Sequence, residues 1–135
     1  MWIRARQYEH EREKAQQELR LKSMEGTLAA AVINADRGDY EPARQMAGDF
    51  FTSVRSQIER GSSSDLSAAQ RDKVKMLMRQ RDELITLLAR SDPAAADRLS
   101  DLYIAYRRAM NDVGPSASKD IAIDTFHMAL HKKSQ

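Results

Sequence analysis

The chain has 135 residues, enough for one domain that hides roughly two-thirds of the surface its unfolded form would expose. Apolar residues make up 41% and charged residues 31%, with five Gly and three Pro, which excludes a disordered or fibrous polymer; the lack of Cys excludes disulfides, thiolate metal sites and cysteine nucleophiles. The 22 basic and 20 acidic residues leave a net charge of +2 with the signs interleaved, which argues against the one-sided basic face of a nucleic-acid binder.

No stretch approaches the ~20 consecutive apolar residues that span a bilayer, and no signal-peptide core is visible. The opening Met1-Trp2-Ile3-Arg4 has the aromatic-then-basic order that flanks the end of a transmembrane helix. Two expectations follow: an ordinary polar helix start, or a membrane anchor upstream of residue 1. The compartment stays open between the cytoplasm and a membrane-tethered position on its cytoplasmic or periplasmic face.

The first helix is predicted over about Ile3 to Asp36. Its first half (RARQYEHEREKAQQE) is rich in helix formers and closely spaced opposite charges but has almost no apolar stripe, so it reads as a solvated helix or a coiled-coil arm. Leu21, Met24, Leu28, Ala31 and Ala35 then recur at helical spacing, and core packing is expected to begin there. Gly38 suits a left-handed helix end, Asp39 an N-cap, and Pro42 the first turn of the next helix. That second helix, about Tyr40 to Arg60, shows Ala43, Met46, Ala47, Phe50, Phe51, Val54 and Ile58 on one face.

Gly61 to Asp65 reads as a flexible loop, and Ser67 with Gln70 as a capping box. A single third helix is predicted from there to about Arg90, burying Val74, Leu77, Met78, Leu84, Ile85, Leu87 and Leu88, with Arg81 caught on the stripe. Asp92-Pro93 opens a fourth helix that buries Leu99, Leu102, Tyr103, Tyr106, Ala109 and Met110 and stops at Gly114-Pro115. A short fifth helix, about Lys119 to Lys132, places Ile123, Phe126, Ala129 and Leu130 together. Short connections between sequential helices predict an all-α fold: an antiparallel bundle of about four helices plus a short C-terminal helix, with a long polar N-terminal helix. Residues 1–20 form the polar arm and residues 21–135 the bundle domain.

The stretch from Leu28 to Phe51 resembles one tetratricopeptide repeat. The matching elements are Ala30 and Ala31, the turn Gly38-Asp39-Tyr40-Glu41, then Ala43 and Ala47. The resemblance implies a peptide- or protein-binding scaffold. Thr27 stands where the repeat has a large aromatic, the closing Pro is absent, and no second copy follows, whereas a solenoid needs about three.

Asp124, His127 and His131 share one predicted helical face and form a metal-ligand candidate, without the matching Glu-x-x-His pairs of a di-metal bundle. The other reading is a polar face whose histidines complement a helix C-terminus. No nucleophile elbow or Gly-rich phosphate loop occurs, so no catalytic residue and no cofactor is assigned. Arg71, Lys73, Lys75, Arg79 and Arg81 tilt the third helix basic, and interspersed Asp72, Asp82 and Glu83 suggest ordinary ion pairing. Met76 falls off its stripe and is the methionine whose exposure is open. The aromatic candidates for contact with a partner are Trp2, Tyr8, Tyr40, Tyr103 and Tyr106. The functional expectation is a non-enzymatic interaction or scaffold domain that binds a protein partner or itself; the alternatives are a metal-binding helical protein and a tetratricopeptide-like module.

Overall fold

A computed structural model describes the backbone of residues 2–111 and the side chains of residues 8–111. The predicted fifth helix and the stop at Gly114-Pro115 lie outside these residues. Five α-helices follow one another: α1 (Trp2–Asp36), α2 (Tyr40–Arg60), α3 (Ala68–Leu77), α4 (Arg81–Ala89) and α5 (Ala94–Asn111). Single 3-10 turns occupy Gly61–Ser63 and Met78–Gln80, and the described residues contain no strand. The all-α bundle is the fold. None of the described helices is long and apolar enough to cross a membrane.

α1 packs against α2 and α5, α2 also against α4, and α3 and α4 both against α5. The helical stripes meet in one core. Leu28, Ala31, Ala43, Ala47, Phe50, Val74, Leu99, Leu102 and Tyr106 have essentially no exposed surface. On α1 and α2, which pack together, small Ala31, Ala35, Ala43 and Ala47 are buried alongside the large Phe50 and Phe51.

The α1–α2 turn forms because Gly38 takes φ +80°, a region where a Cβ would be strained. Its N–H donates to the Ala35 carbonyl (3.0 Å) and that of Asp39 to the Asn34 carbonyl (2.8 Å), the paired bonds of a Schellman end. Asp39 stands at the N-cap of α2, but its side chain makes no capping bond; only its carbonyl is used, by the Ala43 N–H. At Ser67 the capping box is complete, with the hydroxyl accepting from Gln70 N–H and the Gln70 amide oxygen accepting from Ser67 N–H. Asp92 caps α5 by accepting from Ala94 N–H at 2.9 Å.

The single third helix predicted over residues 67–90 is in fact two. Unbroken, it would hold Arg81 near the centre of the row Val74, Leu77, Leu84 and Leu88. Three residues of 3-10 turn at about 120° apiece, in place of about 100°, turn Leu84, Leu88 and Arg81 together by roughly 60° relative to Val74 and Leu77, with Arg81 to one side of the Leu84 and Leu88 row. Its guanidinium stays hydrated and pairs with Asp82 (2.8 Å), while Leu84 and Leu88 remain buried.

α4 ends in the same way as α1, with Ser91 N–H donating to Leu88 and Asp92 N–H to Leu87, but Ser91 supplies the left-handed residue at φ +54°. An L-residue with a Cβ pays about 1–2 kcal/mol for this conformation, partly offset by the greater freedom of Gly in the unfolded chain. Ser91→Gly is therefore expected to stabilise the protein by about 0.5–1 kcal/mol, read by thermal denaturation as a rise of about 3 °C. A fall in the melting temperature would contradict this account of the turn.

Candidate functional site

From Tyr8 to Gln16 every side chain of α1 is exposed. Among the described residues the first long-range bond is made by Gln17, whose amide donates to the Asp65 carbonyl at 2.7 Å. One turn further, Arg20 grips the Asp65 carboxylate with two parallel bonds, Nε to Oδ2 and Nη2 to Oδ1, both 2.7 Å. Gln57 of α2 adds Nε2 to Oδ2 at 2.8 Å, while its Oε1 accepts from Asp65 N–H (2.8 Å) and the Ser64 hydroxyl (2.6 Å). Arg60 lies 3.4 Å from Oδ2. One carboxylate thus joins α1, α2 and the connection to α3.

The segment Gly61 to Asp65, expected to be a flexible loop, is corrected by this geometry. It is a 3-10 turn followed by Asp65 and Leu66, which are 8% and 3% exposed. A buried carboxylate needs partners for its charge and its lone pairs, and Arg20, Gln57 and Arg60 supply them. Local pattern could not reveal the cluster, because Gln17 and Arg20 lie 48 and 45 residues from Asp65. Gln57, on the buried face of an otherwise apolar row, was the one visible signal.

The Arg20 hydrogen bonds, opposed by burial and helped by Gln57, hold the Asp65 carboxyl well below the usual carboxylate range, at about 2. Tyr106 shifts the other way: burial first, then the charge of Glu25, pushes its hydroxyl up to about 12. At neutral pH the first is a fixed anion and the second a fixed neutral group, and neither exchanges a proton there. Beside the clamp, an open groove of about 360 Å³ separates α1 from α2. Ser23, Thr27, Thr52, Ser53 and Ser56 line it together with Arg20 and Arg60.

The aromatic candidates fall into different settings. Tyr8 is 74% exposed on the arm. Tyr40 is half-buried against the core at the start of α2. Tyr103 is also half-buried, with the Arg107 guanidinium 5.9 Å from its ring centre. Tyr106 is fully enclosed, its ring edge-to-face with Phe50 at 5.0 Å, and in this structure it offers no surface to a partner. Trp2 lies in α1, outside the described side chains. Asp124, His127 and His131 lie outside the described residues altogether, and among those described no three His, Asp or Glu side chains come together as metal ligands.

The basic tilt of the third helix is engaged locally. Arg71 donates to the Leu66 carbonyl, Lys75 pairs with Asp72 and Arg81 with Asp82. Arg107 pairs with Glu25 of α1 at 3.6 Å. Met76, off its stripe, is 61% exposed.

No protein-family model, no curated protein and no solved structure matches this chain. The tetratricopeptide resemblance thus has no family behind it. What it shares with the structure is small-residue packing: Ala31, Ala43 and Ala47 are fully buried and Ala30 is half-buried.

Two outcomes follow. Because the folded Asp65 pKa lies below the ordinary aspartate value of about 3.9, its contribution is complete above that value and is lost as pH falls toward 2. Asp65→Asn should cost about 2 kcal/mol at neutral pH, and urea unfolding at a series of pH values should show the gap from the parent closing below about pH 4. A gap independent of pH would mean that the charge is not what matters. The Tyr106 hydroxyl, buried without a hydrogen-bond partner among the described residues, costs rather than contributes. Tyr106→Phe is expected to raise stability by about 1 kcal/mol in the same assay, since it deletes that group and keeps the ring.

Proposed function

We propose that this protein is a non-enzymatic helical interaction domain whose working element is α1, presented to a protein partner by a bundle that holds only its C-terminal half. The observation that carries this reading is the division of α1. Residues 8–16 are wholly exposed, and the helix is then clamped through Gln17 and Arg20 before its core stripe begins at Leu21 and Met24.

A long exposed helix adds little stability of its own, because surface charge pairs on a helix contribute only about 0.3–0.5 kcal/mol each. An extended helix with no core to cover is instead suited to meeting another surface. Aromatic and apolar side chains on its exposed sides supply contact, and the interleaved charges keep it soluble.

The reading is tested by a chain that begins at Gln17. It should keep the melting temperature and unfolding slope of the parent to within about 1 °C, since it retains the clamp and every core residue. A bundle that unfolds or loses several degrees would make the arm part of the fold and remove the basis for an interaction role.

A further inference from the structure

The outer side of α1 carries a second apolar row. At about 100° per residue, Tyr8, Ala15, Leu19, Gly26 and Ile33 fall within a sector of about 40°, nearly opposite the buried row Met24, Leu28, Ala31 and Ala35. All five are exposed. Tyr8 (74%), Leu19 (67%) and Ile33 (51%) are also three of the five large apolar side chains that stand exposed among the described residues, the others being Met76 and Ile104. Scattered exposed apolar residues are ordinary, whereas a straight line of them along one helix marks a contact surface.

The row has a two-fold pattern. Tyr8 and Ile33, Ala15 and Gly26, and Leu19 and Lys22 are each placed symmetrically about the point between Arg20 and Leu21. In an isologous contact each position meets its counterpart on the second copy and the reverse, so an antiparallel pair centred on this point brings each of these pairs together twice. Resting on the reading of α1 as an interaction element, we propose that its partner is a second copy of this chain, the two α1 helices pairing antiparallel along this outer row.

In that arrangement Tyr8 meets Ile33 of the second copy, and Ala15 meets Gly26, where the missing side chains let the backbones approach. Leu19 lies on the alkyl chain of Lys22 of the second copy, whose ammonium then reaches Glu18 beside that leucine. Charge decides the direction. Parallel pairing in register would set Arg12 on Arg12 and Lys22 on Lys22, whereas the antiparallel form places Arg12 against Ala29 and separates the like charges. The bundle sits on the far side of α1, so the described helices leave this face open.

The row from Tyr8 to Ile33 is about 38 Å long, and a contact strip about 10 Å wide covers roughly 400 Å² in plan. This is below the ~800 Å² per partner of a standard stable interface, so the dimer is reversible and dissociates on dilution.

Sedimentation velocity of the full chain over a concentration series tests the proposal. A monomer–dimer equilibrium is expected. Leu19→Glu should weaken it by at least about tenfold, and Ile33→Glu likewise, with unchanged thermal melting at dilutions where the parent is monomeric, because both positions are exposed in the single chain. As the chain has no cysteine, direction can be read by oxidative cross-linking. A mixture of Tyr8→Cys and Ile33→Cys chains should form the mixed disulfide, and Ile33→Cys alone should not cross-link. A monomer at every concentration, a dimer indifferent to Leu19→Glu, or efficient cross-linking of Ile33→Cys with itself would overturn the proposal. If the parent is monomeric while the chain beginning at Gln17 melts normally, self-pairing fails and α1 as a docking helix for a different protein stands. If that shorter chain unfolds, the broader reading fails whatever the oligomeric state.

Discussion

A carboxylate removed from water holds this bundle in register. Asp65 is held as a buried anion chiefly by hydrogen bonds from Arg20 and Gln57, which belong to different helices. Sliding α1 by one residue would shift Arg20 by about 1.5 Å along the axis and turn it by about 100°, leaving the charge buried and unpaired. That penalty is specific, whereas the apolar contacts around it would tolerate small shifts. The clamp therefore fixes which alanines of α1 face which of α2. By burying Leu66 next to Asp65, it also fixes where the capping box of α3 begins.

The same clamp explains how the arm can be a helix at all. A free segment of this length in water is marginal, because the first turn fixes several residues for a single hydrogen bond. Here the nucleus is already made. The core-packed half of α1 is anchored at Arg20, and each residue N-terminal to it adds one hydrogen bond for one more ordered residue. The strong helix formers Glu11, Arg12, Glu13, Lys14, Ala15, Gln16 and Gln17 extend such a nucleus at little cost. Anchoring and extension thus have separate causes, the first tertiary and the second intrinsic to the sequence.

Most of the bundle was legible in the sequence because a helix with one buried side repeats every 3.6 residues. The stripes of α2 and α5 and the second half of α1 followed that period, and the caps at Ser67 and Asp92 marked true boundaries. What was not legible depended on partners distant in sequence. Tyr103 and Tyr106 look alike along the chain, yet only Tyr106 reaches Phe50 and is enclosed. Asp65 looked like the end of a serine-rich loop because its cation is supplied from α1. The outer row of α1 escaped for a different reason. Two apolar rows on opposite sides of one helix cancel in any average around its axis, so only the denser row from Leu21 to Ala35 stood out until burial showed the second row facing outward.

The charged surface narrows where affinity for a partner can reside. The ion pairs between Arg98 and Glu83, Lys75 and Asp72, and Arg81 and Asp82 all lie in water, where each contributes a few tenths of a kcal/mol and is screened by salt. With a net charge of only +2, the long-range field that steers a partner into place is also weak. Binding by such a molecule must therefore come chiefly from apolar area removed from water, at about 25 cal/mol per Å². An exposed apolar row of this kind runs along α1 from Tyr8 to Ile33. It lies on the helix that the Asp65 clamp holds in place, so the polar cluster inside the bundle governs how the apolar row outside it is presented.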